Sequence, residues 1–423
     1  MRLLYSLLWI LILPLALLRL WWRGRKEPGY RQHIGERFGN YGQHAIDRKH
    51  RLLWLHAVSV GETRAAEPLI TALLAQYPDC AILLTHMTVT GRATGQALFS
   101  HHGARVQQCY LPYDLGFLIA RFLRHFQPQL CLLMETEVWP NVIAQCGKFK
   151  VPVVLLNARL SERSLAKGRR FGRLMTEVAR GIACIGAQTE ADAARLRQFG
   201  APTVQVTGSI KFDITPPQDM LDKGAALRAQ IGERSVLLCA STREGEEALI
   251  LDALEKTKFG NALLVIVPRH PQRFSEVARM IALRNLVLCR RSELGDDWID
   301  PEVRVLLGDS MGEMYAYYAA CDVAFIGGSL LPLGGQNLIE ACAVGKPVLL
   351  GPHTFNFATV SDDAVHAGVA LRIHDASALL QTAQHLLQAD VERIVMGAKA
   401  KAFAEQHRGA TTRTLTLLQP YLT

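Results

Sequence analysis

Short, nearly unbroken apolar runs recur along the chain at residues 52–55, 81–85, 130–134 and 151–156, and again at 236–240, 262–267, 303–307 and 323–326. Amphipathic stretches of helical length separate them. A run that is apolar at every position suits a strand buried on both faces, as in a parallel sheet wrapped by helices. The pattern predicts an α/β protein with two doubly wound, Rossmann-like halves. It loosens between Gly208 and Gly232, through Thr215-Pro216-Pro217-Gln218-Asp219, where a connection between the halves is expected. The length of 423 residues suits two domains of about 100–200 residues plus extras. No tandem repeat or low-complexity tract is visible.

The amino end has a different pattern. Residues 3–18 are apolar except where Tyr5, Ser6 and Pro14 interrupt. Arg19, Trp21 and Trp22 follow, then Arg23, Arg25 and Lys26. Apolar plug, aromatic belt and cationic collar come in the order expected at a membrane boundary. The plug is short against the ~20 residues of a spanning helix, so it either spans with help from its flanks or lies in the interface. A cleaved signal peptide fits less well, because Arg2 is its only basic side chain and no small-residue cleavage site follows. The heavier positive flank is carboxyl-terminal, which predicts a cytoplasmic body. The expected divisions are an anchor over 1–25, a first Rossmann-like domain over 26–207, a linker over 208–232, a second Rossmann-like domain over 233–400, and a terminal helix over 401–423 that could pack back on the first domain.

The net charge of +9 calls for an anionic partner. No nucleic-acid-binding signature accompanies it, and no basic run is interleaved with aromatics, so phosphate or anionic lipid is expected and nucleic acid is not. Nine cysteines, at 80, 109, 131, 146, 184, 239, 289, 321 and 342, include no Cys-x-x-Cys pair and mostly lie in or beside apolar runs. Buried, reduced thiols are expected. No Asp-x-Asp pair occurs, and no cluster of His, Cys and acids has metal-ligand spacing, so neither metal nor cofactor is expected.

In doubly wound sheets ligands gather beyond the carboxyl ends of the strands. After the first run comes His56-Ala57-Val58-Ser59-Val60-Gly61-Glu62, with Gly61 expected to turn the chain into a helix. Glu62 would sit near the helix start, where the dipole favours its anion and where it can take a proton from a sugar hydroxyl. On spacing alone, a glutamate that only complements the dipole is the plainer reading. Glu135 and Glu137, with Trp139, follow run 130–134, either to use the strand mouth or to satisfy amides at a helix start. Arg159 and Arg163 could hold acceptor phosphates or face solvent. Lys211, on the turn after Gly208-Ser209, suits a developing phosphate or carboxylate charge, or is a surface lysine.

In the second half Arg269 and Arg273 straddle a turn stiffened by Pro268 and Pro271, where guanidinium groups can grip phosphate. Gly312, before a helix over 315–320, would admit a nucleobase or ribose, or simply start the helix. Gly327-Gly328-Ser329 and Gly334-Gly335 lead towards Asn337 and Glu340, read as one turn apart on one helix face, with the loop as an anion cradle and Glu340 as an acceptor for ribose hydroxyls.

These residues resemble the bacterial 3-deoxy-D-manno-octulosonic acid (Kdo) transferases of lipopolysaccharide assembly, over almost the whole chain. The resemblance rests on the anchor with Arg23-Gly24-Arg25-Lys26, Gly35-Glu36-Arg37-Phe38-Gly39, the Ser-Val-Gly-Glu ending at Glu62, Leu111-Pro112-Tyr113-Asp114 and Met134-Glu135-Thr136-Glu137. It extends through Asn157-Ala158-Arg159-Leu160-Ser161, Gly208-Ser209-Ile210-Lys211-Phe212-Asp213, Pro268-Arg269-His270 and the Gly-Gly-x-Asn-x-x-Glu ending at Glu340. It implies a GT-B fold with two Rossmann-like domains facing a cleft, the first (26–207) binding the acceptor and the second (233–400) the donor, and a membrane-anchor helix. It also implies a CMP-Kdo donor, a lipid A precursor (tetraacyldisaccharide 4'-phosphate) as acceptor, inverting transfer, and work on the anionic cytoplasmic face of the inner membrane. By position, Glu62 would be the general base, and Glu135 and Lys211 would stabilise the transition state. Pro268, Arg269, Met311, Gly312, Glu313, Asn337, Leu338, Ile339 and Glu340 would hold CMP. Rival readings are another GT-B nucleotide-sugar transferase, a nucleotide-sugar epimerase, and a silent scaffold that senses CMP.

Overall fold

The computed structural model describes residues 1–42, 50–213, 215–257, 259–295 and 297–422, without the side chain of Lys26. Lys26 of the basic collar and Ile214 of the expected linker therefore lie outside the described side chains and residues. Contacts divide the chain into two compact units, Met1–Asp213 with Arg408–Thr423, and Ile214–His407.

The first unit holds a seven-stranded parallel sheet of β1 (Arg51–His56), β2 (Cys80–His86), β3 (Val106–Tyr110), β4 (Leu130–Met134), β5 (Val153–Ala158), β6 (Cys184–Ala187) and β7 (Val204–Val206). Their order is β3-β2-β1-β4-β5-β6-β7. Every residue of β2, β4 and β5 is buried, because helices cover both faces. Alternation sends Leu53, Leu55, Leu132 and Leu156 to the core on one face, and Trp54, Leu83, Leu133 and Leu155 to the core on the other.

The second unit repeats the plan with β8 (Val236–Thr242), β9 (Leu263–Pro268), β10 (Leu288–Arg290), β11 (Val305–Leu307), β12 (Val323–Ile326), β13 (Val348–Leu350) and β14 (Ala370–Arg372). The order is β10-β11-β9-β8-β12-β13-β14, again parallel. The winding reverses at β1/β4 and at β8/β12, and those switch points are where such sheets leave room for ligands.

Within the loose stretch of sequence, Gln218–Ile231 forms a helix packed on the helix Met314–Ala320. The last helix, Ala410–Leu422, belongs to the first unit and packs on the helix Val60–Gln76 and the turn at Ile210–Phe212. The Asp213 carboxylate receives the Gly409 and Thr411 N–H groups at 3.0 and 2.7 Å. Burial works against that anion, yet these bonds hold its pKa below the usual value. Eight of the nine cysteines are buried and Cys289 is half-buried; all are free. The N-terminal helix runs from Arg2 to Lys26 with Pro14 inside it, and by length and composition it could cross a membrane.

Candidate active site

β1 delivers the chain to Ser59, which caps the helix Val60–Gln76, and Glu62 is its third residue. The Glu62 carboxylate turns back to accept the Val58 N–H at 2.6 Å and the Ser59 hydroxyl at 3.3 Å, a variant of the capping box. Burial nevertheless pushes its pKa from 4.5 up to about 7; the Val58 bond opposes, and Glu137 and Glu135 add to the rise. The expected dipole-stabilised anion is thus corrected: desolvation outweighs the helix terminus. Gly61 is not the turn either. It lies in the first helical turn without a positive φ, and a Cβ there would meet only Ser59 Oγ, at 4.0 Å.

Glu135 begins the segment after β4 with φ +56°, and only 6 % of it is exposed. Its N–H donates to Leu156 at 2.8 Å. Its carboxylate pairs with Lys211 Nζ at 2.5 Å and Arg159 Nε at 3.7 Å. Lys211 sits on the turn Ile210–Phe212, which Asn157 secures by accepting the Ile210 N–H at 3.1 Å. Asn157, at the end of β5, is itself left-handed at φ +52°, as is Ser241 in β8 at +55°. Left-handed non-glycine residues at three strand ends mark strain where ligands bind in this architecture. Arg159 and Arg163 are both exposed, and of the two Arg159 reaches Glu135, at 3.7 Å.

Neither acid after β4 satisfies the next helix. Asp114 does so, accepting the Asn141 and Val142 N–H groups of Pro140–Lys148 at 3.1 and 2.9 Å. Burial raises the Asp114 pKa to about 6 against those bonds. Glu137 is also raised, first by burial and then by Glu135. Glu62, Glu135 and Glu137 thus form one acid cluster, with Lys211 and Arg159 as its cations.

The motif Gly35-Glu36-Arg37-Phe38-Gly39 is a brace. Glu36 accepts from Arg92 at 2.6 Å and the Tyr110 N–H at 2.7 Å, and Arg37 lies over the Tyr110 ring at 4.0 Å. His56 and His86 are pushed by burial to about 3 and about 4, so they stay neutral at physiological pH.

In the second unit, Pro268 ends β9 and is buried. The exposed Arg269 anchors its N–H on Thr242 at 2.9 Å. Arg273 does not share its expected role: 7 % exposed, it pairs with Glu247 at 3.2 Å and Glu276 at 3.0 Å, so its guanidinium serves the fold. Met311 is 63 % exposed. Gly312 has φ +82° with open space around it, so its conformation, not crowding, requires glycine. Glu313 accepts from Ser310 at 2.7 Å and Arg291 at 3.3 Å. Asn337 precedes a helix of only five residues, Ile339–Ala343, and its Oδ1 accepts the Ile339 N–H at 3.0 Å. Asn337 and Glu340 therefore do not share a helix face, as the spacing had implied. Leu338 and Ile339 are fully buried, so only their main chains could meet a ligand. Glu340 is half-buried near Tyr318, whose pKa is raised by burial and then by that carboxylate.

Sequence reasoning missed Glu246. It is fully buried at the start of the helix Glu246–Lys256, and its carboxylate accepts the N–H groups of Gly328 at 2.6 Å, Leu330 at 2.9 Å and Arg243 at 2.9 Å. It pins the glycine turn after β12. Gly327 must be glycine because a Cβ would come within 2.5 Å of the Ser241 carbonyl oxygen. Three acids just past the end of β8, Glu244, Glu246 and Glu247, were the available signal.

Two parallel doubly wound sheets, one with a raised-pKa acid and the other with a pinned glycine turn at its switch point, define a GT-B protein of the type shared by sugar-nucleotide transferases and epimerases. Solved structures agree on the fold: Anabaena Alr3699/HepE in complex with UDP matches with TM-score 0.58 and 18 % identity, covering 88 % of this chain and 99 % of that one. Neisseria meningitidis UDP-GlcNAc 2-epimerase bound to UDP-GlcNAc gives 0.58 and 16 %, over 87 % and 99 %. A family profile for 3-deoxy-D-manno-octulosonic-acid transferase (kdotransferase) matches residues 32–214. The 3-deoxy-D-manno-octulosonic acid transferase of Bordetella pertussis is 45 % identical over 97 % of this chain and 96 % of its own length, and that of Haemophilus influenzae 37 % over 100 % and 99 %. The chain belongs to the Kdo transferase family of glycosyltransferases.

Proposed function

We propose that this enzyme moves Kdo from CMP-Kdo to a lipid A precursor, the tetraacyldisaccharide 4'-phosphate, with inversion and without a metal, at the cytoplasmic face of the inner membrane. The observation that carries the reading is Glu62, half-buried at the β1/β4 switch point with its pKa raised to about 7. A base poised near the working pH is what proton removal from a sugar hydroxyl calls for. As the acceptor's primary hydroxyl oxygen bonds to the anomeric carbon of Kdo, the bond from that carbon to the phosphate oxygen of CMP breaks, and the proton goes to Glu62. Lys211, held by Glu135 at 2.5 Å, offers positive charge to the sugar carboxylate or to the acceptor phosphate. The leaving phosphate gains negative charge, which Arg269 and the main-chain N–H groups around Gly312 and residues 337–340 can receive. The apolar N-terminal helix and its arginine collar seat the body on anionic lipid, each surface cation adding about 1 kcal/mol of attraction.

The test is to incubate the purified protein with CMP-Kdo generated in situ and the tetraacylated precursor, and to weigh the lipid product. Addition of Kdo supports the reading, and the number of additions follows from the mass. An unchanged lipid, or stabilisation against heat by UDP but not CMP, overturns it in favour of another sugar-nucleotide enzyme.

A further inference from the structure

The N-terminal helix is apolar on all sides, yet its two sides meet different surroundings. Tyr5, Ser6, Trp9, Leu13 and Leu17 form one stripe at three- and four-residue spacing and are half-buried against the first unit. Trp9 packs on Tyr113 and Trp139 with ring centroids 6.0 and 6.4 Å apart. Leu13 and Leu17 pack with Leu115 and Leu118. Polar clasps hold the helix towards both ends. Arg2 pairs with Glu177 at 3.3 Å, and Asn141 donates to the Ser6 hydroxyl at 3.1 Å. Further along, Arg23 sits over the Tyr30 ring at 4.8 Å and Arg31 donates to the Trp21 carbonyl at 3.3 Å. The opposite stripe, with Leu3, Leu7, Leu11, Leu15 and Leu18, is 58–83 % exposed.

Length alone would let this helix cross a membrane: 25 residues at about 1.5 Å each exceed a hydrocarbon core about 30 Å thick. Its contacts forbid it. A docked helix carries its neighbours along, and a crossing would take Glu177, Asn141 and the buried Asp114 to hydrocarbon depth. Charged side chains are strongly disfavoured there. A helix lying flat meets no such conflict. One stripe stays on protein and the other enters the leaflet, which also explains why no side of it is polar. Phe117, 67 % exposed between the docked Leu115 and Leu118, adds an apolar side chain next to the same seat.

We propose that the N-terminal helix does not span the bilayer but lies in the interface of an anionic phospholipid leaflet, clamped lengthwise to the first unit, where it forms the membrane-side rim of the loop carrying Glu135. Trp139, the partner of Trp9, stands four residues after Glu135 and caps the next helix. Lipid seat and acid cluster are thus joined through one aromatic contact, and an acceptor could present its head group there with its acyl chains still in the leaflet. The inference rests on the membrane part of the proposed function, and its topology test does not depend on Kdo transfer.

A protease-cleavable tag placed before Met1 reads the topology of the full-length protein. Cleavage in inverted inner-membrane vesicles with protection in spheroplasts is expected, since the amino end stays on the side of the body. The reverse pattern, as a spanning helix requires, overturns the proposal, and so does recovery of the protein in the soluble fraction. The lipid seat is tested separately with Leu11→Glu, on the exposed stripe. Transfer to detergent-dispersed acceptor should stay within about twofold of the parent. Transfer to acceptor in vesicles of three parts phosphatidylethanolamine to one part phosphatidylglycerol should fall about tenfold. A loss of the same fold in both assays would overturn the lipid seat.

Discussion

Replacing Glu62 with Gln separates what the carboxylate does for chemistry from what it does to the fold. Glu62 titrates near 4.5 when exposed and near 7 in the folded protein, and burial is the main cause. Between those values the folded state holds a proton that the unfolded chain releases, so stability falls as pH rises through that window. A gap of about 2.5, at about 1.4 kcal/mol for each pH unit, sets a ceiling of about 3.4 kcal/mol above pH 7. Partial access of solvent to the carboxylate reduces that to about 1–2 kcal/mol. Glutamine keeps an oxygen to accept the Val58 N–H and never ionises. The variant should therefore melt higher than the parent at pH 8 and within error of it below pH 4.5, as read by thermal unfolding across buffers. Its transfer rate should fall by roughly 10²–10⁴-fold. For the parent, kcat/KM should rise about tenfold per pH unit below 7 and level off above. An offset in melting temperature that is the same at both pH values would refute a buried, raised-pKa carboxylate. Near-native turnover by the variant would remove Glu62 as the base.

Three further outcomes test the surrounding contacts. Lys211→Met leaves Glu135 with Arg159 as its remaining ion-pair partner, at 3.7 Å, and should cost about 1–3 kcal/mol in urea unfolding along with most of the activity; unchanged stability would mean the 2.5 Å pair is not formed in solution. Arg273→Leu strips the fully buried Glu247 of its ion-pair partner and should destabilise by about 3–5 kcal/mol, detected as a lower urea midpoint. Arg269→Ala should weaken CMP binding roughly 10–100-fold by calorimetry, the worth of a charge-assisted bond of about 1.5–3 kcal/mol, with an unchanged melting temperature; an unaltered affinity would exclude it from the donor site.

The centre of each sheet was legible in the sequence and the margins were not. All eight apolar runs became strands, namely β1, β2, β4, β5, β8, β9, β11 and β12. The four edge strands, β3, β7, β10 and β14, left no comparable run. An edge is covered on one side only, so polar residues such as Gln107, Gln205, Arg290 and Arg372 interrupt it. β6 is interrupted by Gly186, and β13 is only three residues between Pro347 and Gly351, which dilutes their signal. Looking just beyond the strand ends brought up Glu62, Glu135 and Lys211, and the fold gathers all three, because that rule depends on topology alone. It could not tell Arg269 from Arg273, since the pairing of Arg273 with Glu247 comes from a distant segment. It placed Asn337 on a helix because spacing does not show where a helix begins.

The return of Ala410–Leu422 to the first unit has a consequence for biosynthesis. This helix contributes Leu417, Leu418 and Leu422 to the core beneath β1, and Arg51 at the start of β1 donates to the Leu422 carbonyl. The amino-terminal unit therefore cannot close its core while the ribosome is still making the intervening residues. The second unit, Ile214–His407, is contiguous, so its core does not depend on the helix Ala410–Leu422. The earlier-made sheet waits with exposed leucines for the thirteen-residue helix Ala410–Leu422. Nascent chains stalled before residue 410 should accordingly be the form most dependent on chaperones.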